Sequence, residues 1–223
     1  MNTGRMPSVM TPVKSSGTIR LSRRAKSRAT HWRIVKAAYE RFCEYGYAGT
    51  TMVDISETAG VAVQTVYFIF HTKGALLSRA IDYAVMGDAE PAPPESQPWY
   101  QALVAVSDIE GAVRQLVDGV AGILARVAPI NLVARTSGES EVDEVLAFHA
   151  AWQRDAYREI LGILLGKASL RPGLTTERAT DLLLFFLGDD AYQVLVVSCR
   201  WTPAAWADWT AAIVLEHLFD TGR

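Results

Sequence analysis

Apolar residues recur at three- and four-residue steps along most of the chain, and nowhere do they alternate as in a half-buried strand. Ile34, Ala37, Ala38, Phe42 and Tyr45, opposed by Arg33, Lys36, Glu40 and Glu44, predict an amphipathic helix that starts at Thr30 and is closed by Gly46. Arg41 interrupts the stripe, but its aliphatic stem can lie along that surface while the guanidinium reaches water. Thr51 is placed to cap a second helix, and Asp54 three residues on completes a capping box. Met52, Ile55 and Ala59 give that helix its apolar side, and Gly60 supplies the positive φ of a sharp turn. A third helix is predicted over Val63–Phe70. After the break His71-Thr72-Lys73-Gly74, a fourth carries Leu76, Leu77, Ala80, Ile81 and Ala84 to about Met86.

The pattern then lapses. Residues 88–98 are rich in proline and acid, and a linker is predicted from there to residue 108. Beyond it, helical periodicity predicts segments at 109–127, 129–136, 139–165, 175–187, 189–199 and 203–219, the last opened by Thr202 as cap and Pro203 in the first turn. Residues 1–27 mix Pro, Ser, Gly and basic residues without periodicity and read as a flexible basic arm. The fold class is all-α: an arm at 1–27, a three-helix helix-turn-helix head at 28–87, the linker at 88–108 and a larger helical body at 109–223.

Charge sharpens this division. The net charge is only -2, yet before residue 51 ten basic residues face two acids, Glu40 and Glu44, so one end is strongly positive. A basic end on a helix-turn-helix suits phosphates better than a general-purpose surface. The arm residues Arg20, Arg23, Arg24, Lys26 and Arg28 either reach a minor groove or add nonspecific charge, and the second is favoured. The two cysteines, Cys43 and Cys199, have no metal-ligand spacing and read as reduced thiols of a cytoplasmic protein; no cofactor, metal or membrane partner is expected. No phosphate-binding glycine loop, nucleophile elbow or paired acid and base points to an enzyme.

Helix-turn-helix spacing alone is a weak signal. The particular residues add to it: Gly46-Tyr47-Ala48-Gly49-Thr50-Thr51-Met52-Val53-Asp54-Ile55, then Ala59-Gly60-Val61, then Gln64-Thr65-Val66-Tyr67, Phe70, Lys73 and Ala75-Leu76-Leu77. This run, between Gly46 and Leu77, resembles the TetR family of repressors. The resemblance implies a DNA-binding head, a fourth helix joining it to the body, a homodimer formed through the last helices, and release of a double-stranded DNA operator when a small-molecule effector enters the body. It also implies that the third helix enters the major groove, with Gln64 and Thr65 at base edges. Tyr67 and Lys73 match backbone and phosphate contacts, Thr51 adds a phosphate bond, and His71 offers one more. Ala62 stands where a capping Ser or Thr is frequent, and Phe68 and Ile69 stand where polar residues are common. The operator sequence is therefore the part of the resemblance most open to change.

In the body, Leu146, His149, Trp152, Gln153, Ala156 and Ile160 form an apolar stripe broken by polar groups, which suits a ligand pocket for a small apolar or aromatic molecule. Leu116, Val120, Ile123, Leu182, Phe185 and Phe186 are candidates for its other walls. Asp189 and Asp190 lie in an otherwise apolar stretch, so either Asp189 caps a helix or a carboxylate meets a cationic ligand or an arginine of a second subunit. Tyr192, Val194, Leu195, Val197, Trp206, Trp209, Ile213, Val214 and Leu218 offer more apolar surface than a chain end needs, and a dimer interface is expected there. The competing reading is a helical ligand- or partner-binding protein with a weakened DNA head.

Overall fold

The computed structural model describes residues 23–87 and 93–220. The predicted contacts of residues 1–22, including Arg20, lie outside them. Among the described residues the regular structure is helical: α1 (Arg23–Tyr45), α2 (Met52–Ala59), α3 (Val63–Phe70), α4 (Lys73–Met86), α5 (Pro98–Ala105), α6 (Ile109–Arg135), α7 (Ser140–Leu165), α8 (Thr176–Phe186), α9 (Asp189–Tyr192) and α10 (Pro203–Leu218).

Three elements depart from the pattern-based reading. Helix α1 begins at Arg23, inside the expected arm, so Arg23, Arg24 and Lys26 ride on a helix. Alanine, arginine and lysine are strong helix formers and need no buried stripe to extend it. The expected linker contains α5, whose Trp99 and Leu103 pack onto α6. Gly119 makes room for it: a Cβ there would stand 2.2 Å from the Trp99 ring. The segments expected at 109–127 and 129–136 are one helix, α6, running through Pro129. Proline removes one N–H and crowds the preceding turn, but buried Val127, Ala128 and Ile130 hold the helix together. The Tyr39 hydroxyl bonds the Arg126 carbonyl in that turn (2.8 Å).

Two cores result. Ile34, Phe42, Ile55, Val66, Phe70, Leu76 and Leu77 centre the head. Leu116, Leu161, Leu164, Leu183, Trp206 and Val214 centre the body. Helix α6 serves both, since Val127, Ile130 and Ala134 complete the head core while Ala112–Leu124 builds the body. It is long and apolar enough to cross a bilayer by composition, but here its apolar side is spent on these cores. Tyr192, Trp206, Val214 and Leu218, expected at a dimer interface, are buried within the body core. The segment expected as one helix at 189–199 is α9 followed by a π-helix over Gln193–Ser198, where the Gln193 amide donates to the Ala128 carbonyl (2.9 Å).

Candidate functional site

The helix-turn-helix forms as its residues dictate. Thr51 Oγ1 accepts the Asp54 N–H (3.2 Å), and the Asp54 carboxylate accepts the Thr51 N–H (2.8 Å), which is the reciprocal capping box. These Thr51 bonds, with Arg41 nearby, hold the Asp54 carboxyl below the usual carboxylate range. Arg41 lies 3.8 Å from Asp54, with its guanidinium 4.0 Å from the centre of the Tyr45 ring, so Tyr45 covers a cation at the surface instead of extending the core. Gly60 takes φ 62° and ψ 44°, the left-handed conformation the turn requires. Ala62 gives α3 no side-chain cap.

Helix α3 then presents two faces. Val66 and Phe70 are buried in the head core, Thr65 is half-buried, and Gln64, Tyr67, Phe68 and His71 are exposed together. At about 100° per residue these four fall within roughly a 100° arc. His71 leaves the helix with φ 60° and ψ -53°, and the Thr72 N–H donates to the Phe70 carbonyl (2.6 Å). That is a three-residue γ-turn of the strained, positive-φ kind. It holds the imidazole at the end of the exposed face. On α1, Arg24, Lys26, Arg28 and Arg33 are exposed as well.

Two predicted contact residues are already engaged. Thr51 Oγ1 also donates to Asp54 (2.7 Å), so its hydroxyl is committed to the cap. Lys73 Nζ donates to the carbonyls of Tyr47 (2.9 Å) and Thr50 (3.2 Å) and sits 4.1 Å from the Tyr47 ring centre. It pins the loop between α1 and α2 to the start of α4. Sequence reasoning missed its companion, Glu141 in the first turn of α7. The Glu141 carboxylate accepts from the Tyr47 hydroxyl (2.8 Å) and lies against the Thr72 side chain and the Gly74 N–H. No periodicity could single out one acid of the stretch 139–144 as the partner of a tyrosine 94 residues away.

A cavity of about 270 Å³ lies between the two cores. Ile81 and Val85 of α4, Trp99 of α5, Val120 and Leu124 of α6, and Trp152 and Tyr157 of α7 supply its apolar wall. Its polar groups are His149, Gln153, Asn131, Arg135 and Asp189. Of the predicted wall residues, Val120, Ile123, Leu146, His149, Trp152, Gln153, Ala156 and Ile160 line it, whereas Leu182 does not. Leu116 is fully buried in the body core, Phe185 is exposed, and Phe186 packs edge-on to Trp209 at 6.4 Å; none of these three lines the cavity. They sit on faces that the helical period alone cannot assign.

The two aspartates are resolved within the chain. Gly188, not Asp189, occupies the cap of α9, and Arg135 pairs with both Asp189 and Asp190 (2.7 Å to the latter) while Asn131 donates to Asp189 (3.1 Å). At the other polar end, His149 Nε2 lies 3.2 Å from Ser78 Oγ, and its Nδ1 lies 3.9 Å from Asp82, both on α4. Burial holds the His149 pKa below the ordinary imidazole value, against the opposing pull of Asp82. Cys43 is half-buried, and burial pushes its thiol up to about 11, an unreactive state.

A helix-turn-helix with an exposed face on α3, joined to a body through α4, which also walls an interior cavity, is the architecture of a DNA-binding head on a body with room for a small molecule. Residues 34–80 match the family model described as bacterial regulatory proteins, tetR family. A comparison with curated protein sequences gives no match. Among solved structures the fold is similar to that of NalD, the secondary repressor of the MexAB-OprM multidrug efflux pump in Pseudomonas aeruginosa. That match has 20% identity, 87% coverage of this chain and 99% of that one, and a TM-score of 0.65. It is also similar to the fatty acid degradation regulator FadR from Bacillus halodurans (22% identity, 83% and 97% coverage, TM-score 0.64). A third match is FadR from Bacillus subtilis in complex with stearoyl-CoA (19% identity, 83% and 97% coverage, TM-score 0.62). At these identities the likeness concerns the fold.

Proposed function

We propose that this protein is a homodimeric repressor that binds a palindromic operator through α3 and releases it when a small apolar or aromatic molecule occupies the cavity. The observation that carries this reading is the double use of α4. Its first turn is bonded into the head through Lys73, and its last turns wall the cavity through Ile81 and Val85. A ligand that fits the cavity in one α4 position better than another shifts the head by its differential affinity for the two. The apolar wall with Gln153, His149 and Asn131 suits an aromatic or aliphatic body carrying one hydrogen-bonding end. Arg135 is already shared by two carboxylates, which disfavours a strongly acidic ligand.

Pairing of two copies through α8 and α10 accounts for Phe185, Val194, Val197, Trp201 and Trp209, apolar and exposed at one end of the body. Two-fold pairing in turn matches half-sites one or more helical turns apart. Selecting bound fragments from genomic DNA, with and without metabolite extracts, tests operator and effector together. The expected result is enrichment of a palindrome that an extract abolishes. Binding no tighter to any promoter fragment than to random DNA rejects the reading and favours a body that acts without its head.

A further inference from the structure

Phe68 is 81% exposed, the most exposed large apolar side chain among the described residues. It projects from the middle of α3, in the arc that holds Gln64, Tyr67 and His71, and its ring packs in neither core. Leaving a phenyl ring in water gains the fold nothing. Its neighbours on that face are polar or amphipathic groups suited to base edges and phosphates, and α1 carries exposed arginine and lysine elsewhere on the head. The ring is continuous with the surface that meets DNA, so what covers it is a feature of the major groove. The apolar feature there is the 5-methyl group of thymine.

We infer that Phe68 is a specificity-determining residue that reads a thymine methyl in each half-site. The inference rests on the DNA-binding role of the head and adds to it the base chemistry read at one position. Phe68 lies one helical turn beyond Gln64, about 6 Å along the axis. The thymine therefore falls within about two base-pair steps of the base that Gln64 contacts. A polar residue at this position would exchange hydrogen bonds with water or phosphate; phenylalanine forgoes them and gains only where a methyl group is buried against it.

The test uses the full chain and a duplex it selects from a random pool. Each thymine of that duplex is replaced in turn by deoxyuracil, which removes only the methyl group. The expected result is one position per half-site where deoxyuracil weakens binding about four-fold, the worth of one buried methyl. In Phe68→Ala that position loses its sensitivity while the others keep theirs. Phe68→Ala folds normally because the ring is packed against little, and unchanged thermal unfolding verifies this. If no position depends on the methyl, or if Phe68→Ala keeps the full wild-type profile, the inference is overturned. A uniform loss of affinity in Phe68→Ala with the deoxyuracil profile intact also overturns it, by placing the ring on the sugar-phosphate backbone. A pool from which the protein enriches nothing rejects the DNA-binding role, and this inference falls with it.

Discussion

The Tyr47 hydroxyl donates to the Glu141 carboxylate at 2.8 Å, joining the loop between α1 and α2 to the first turn of α7. Helix α4 has no acid in its own first turn, so Glu141 supplies from another helix the negative charge its N-terminus favours. Gly74 permits this approach, since a Cβ there would lie 2.4 Å from the Glu141 side chain. Tyr47→Phe is expected to cost about 0.5–1.5 kcal/mol, the net worth of one hydrogen bond. Gly74→Ala must displace the Glu141 side chain, so its cost should largely vanish in a Glu141→Ala background. Urea unfolding of the single and double variants measures this; strictly additive losses would mean the carboxylate does not dock there.

The same cluster predicts an acid limb. The bonds from Thr72, Tyr47 and Gly74, with Lys73 nearby, hold the Glu141 pKa below its ordinary 4.5. Its contribution is complete above the unfolded-state value and is lost as pH falls through the depressed folded value. Unfolding free energy measured from pH 6 downward should decline less steeply in Glu141→Gln than in wild type below about pH 4.5.

Where a helix follows from repetition, the sequence was enough. The caps at Thr51 and Thr202, the turn at Gly60 and the bounds of α2 and α3 rest on neighbours within four residues, and each formed as expected. Helix α5 was hidden because eight residues hold barely two turns of period and the segment before it is proline-rich. Pairings such as Arg135 with Asp189 or Tyr47 with Glu141 depend on how helices cross, which no local pattern encodes. The same limit explains the cavity: the stripe on α7 was legible, whereas Phe185 and Leu116 needed the packing of α6 and α8 to place them.

Arg135 closes the polar end of the cavity. The Asp189 side chain is only 15% exposed, so Arg135→Ala leaves a largely buried carboxylate with Asn131 alone among its present partners. The guanidinium is itself partly exposed, which reduces the loss below that of a fully buried pair, to about 1–2 kcal/mol. Asp189→Asn in that background should restore part of the stability by removing the uncompensated charge. A double variant no more stable than Arg135→Ala would show that the pair is not the reason.

His149 makes the body sensitive near neutrality. Burial depresses its pKa, and the groups facing it are Asp82, which opposes the shift, Arg79, which adds to it, and Ser78. The stability gained by keeping the ring neutral is full above the unfolded-state value of 6.5 and is lost as pH falls from there through the lower folded value. His31, depressed by burial and by Arg79, contributes in the same direction. Wild-type protein should therefore be less stable at pH 5.5 than at pH 7.5. His149→Gln should show a shallower but not flat dependence over the window that opens at 6.5. Equal slopes would remove His149 from the account.

The interface prediction turns on Phe185, which was expected in the ligand pocket. At 64% exposed, it stands beside Phe186, which in turn packs on Trp209, and Trp209 meets Trp201 edge-on at 5.9 Å. An aromatic cluster on the outside of a folded chain costs solvation unless a second surface covers it. Phe185→Glu changes an exposed side chain, so monomer stability should shift by no more than about 0.5 kcal/mol. In a two-fold interface it places two like charges near the axis, and sedimentation should show a shift from dimer to monomer. Operator affinity should fall with it, because each half-site then binds alone. Phe68→Ala, on the exposed face of α3 in the head, should leave the dimer intact. If Phe185→Glu sediments as wild type, α8 and α10 are not the interface, and the spacing of half-sites must be set by another face of the body.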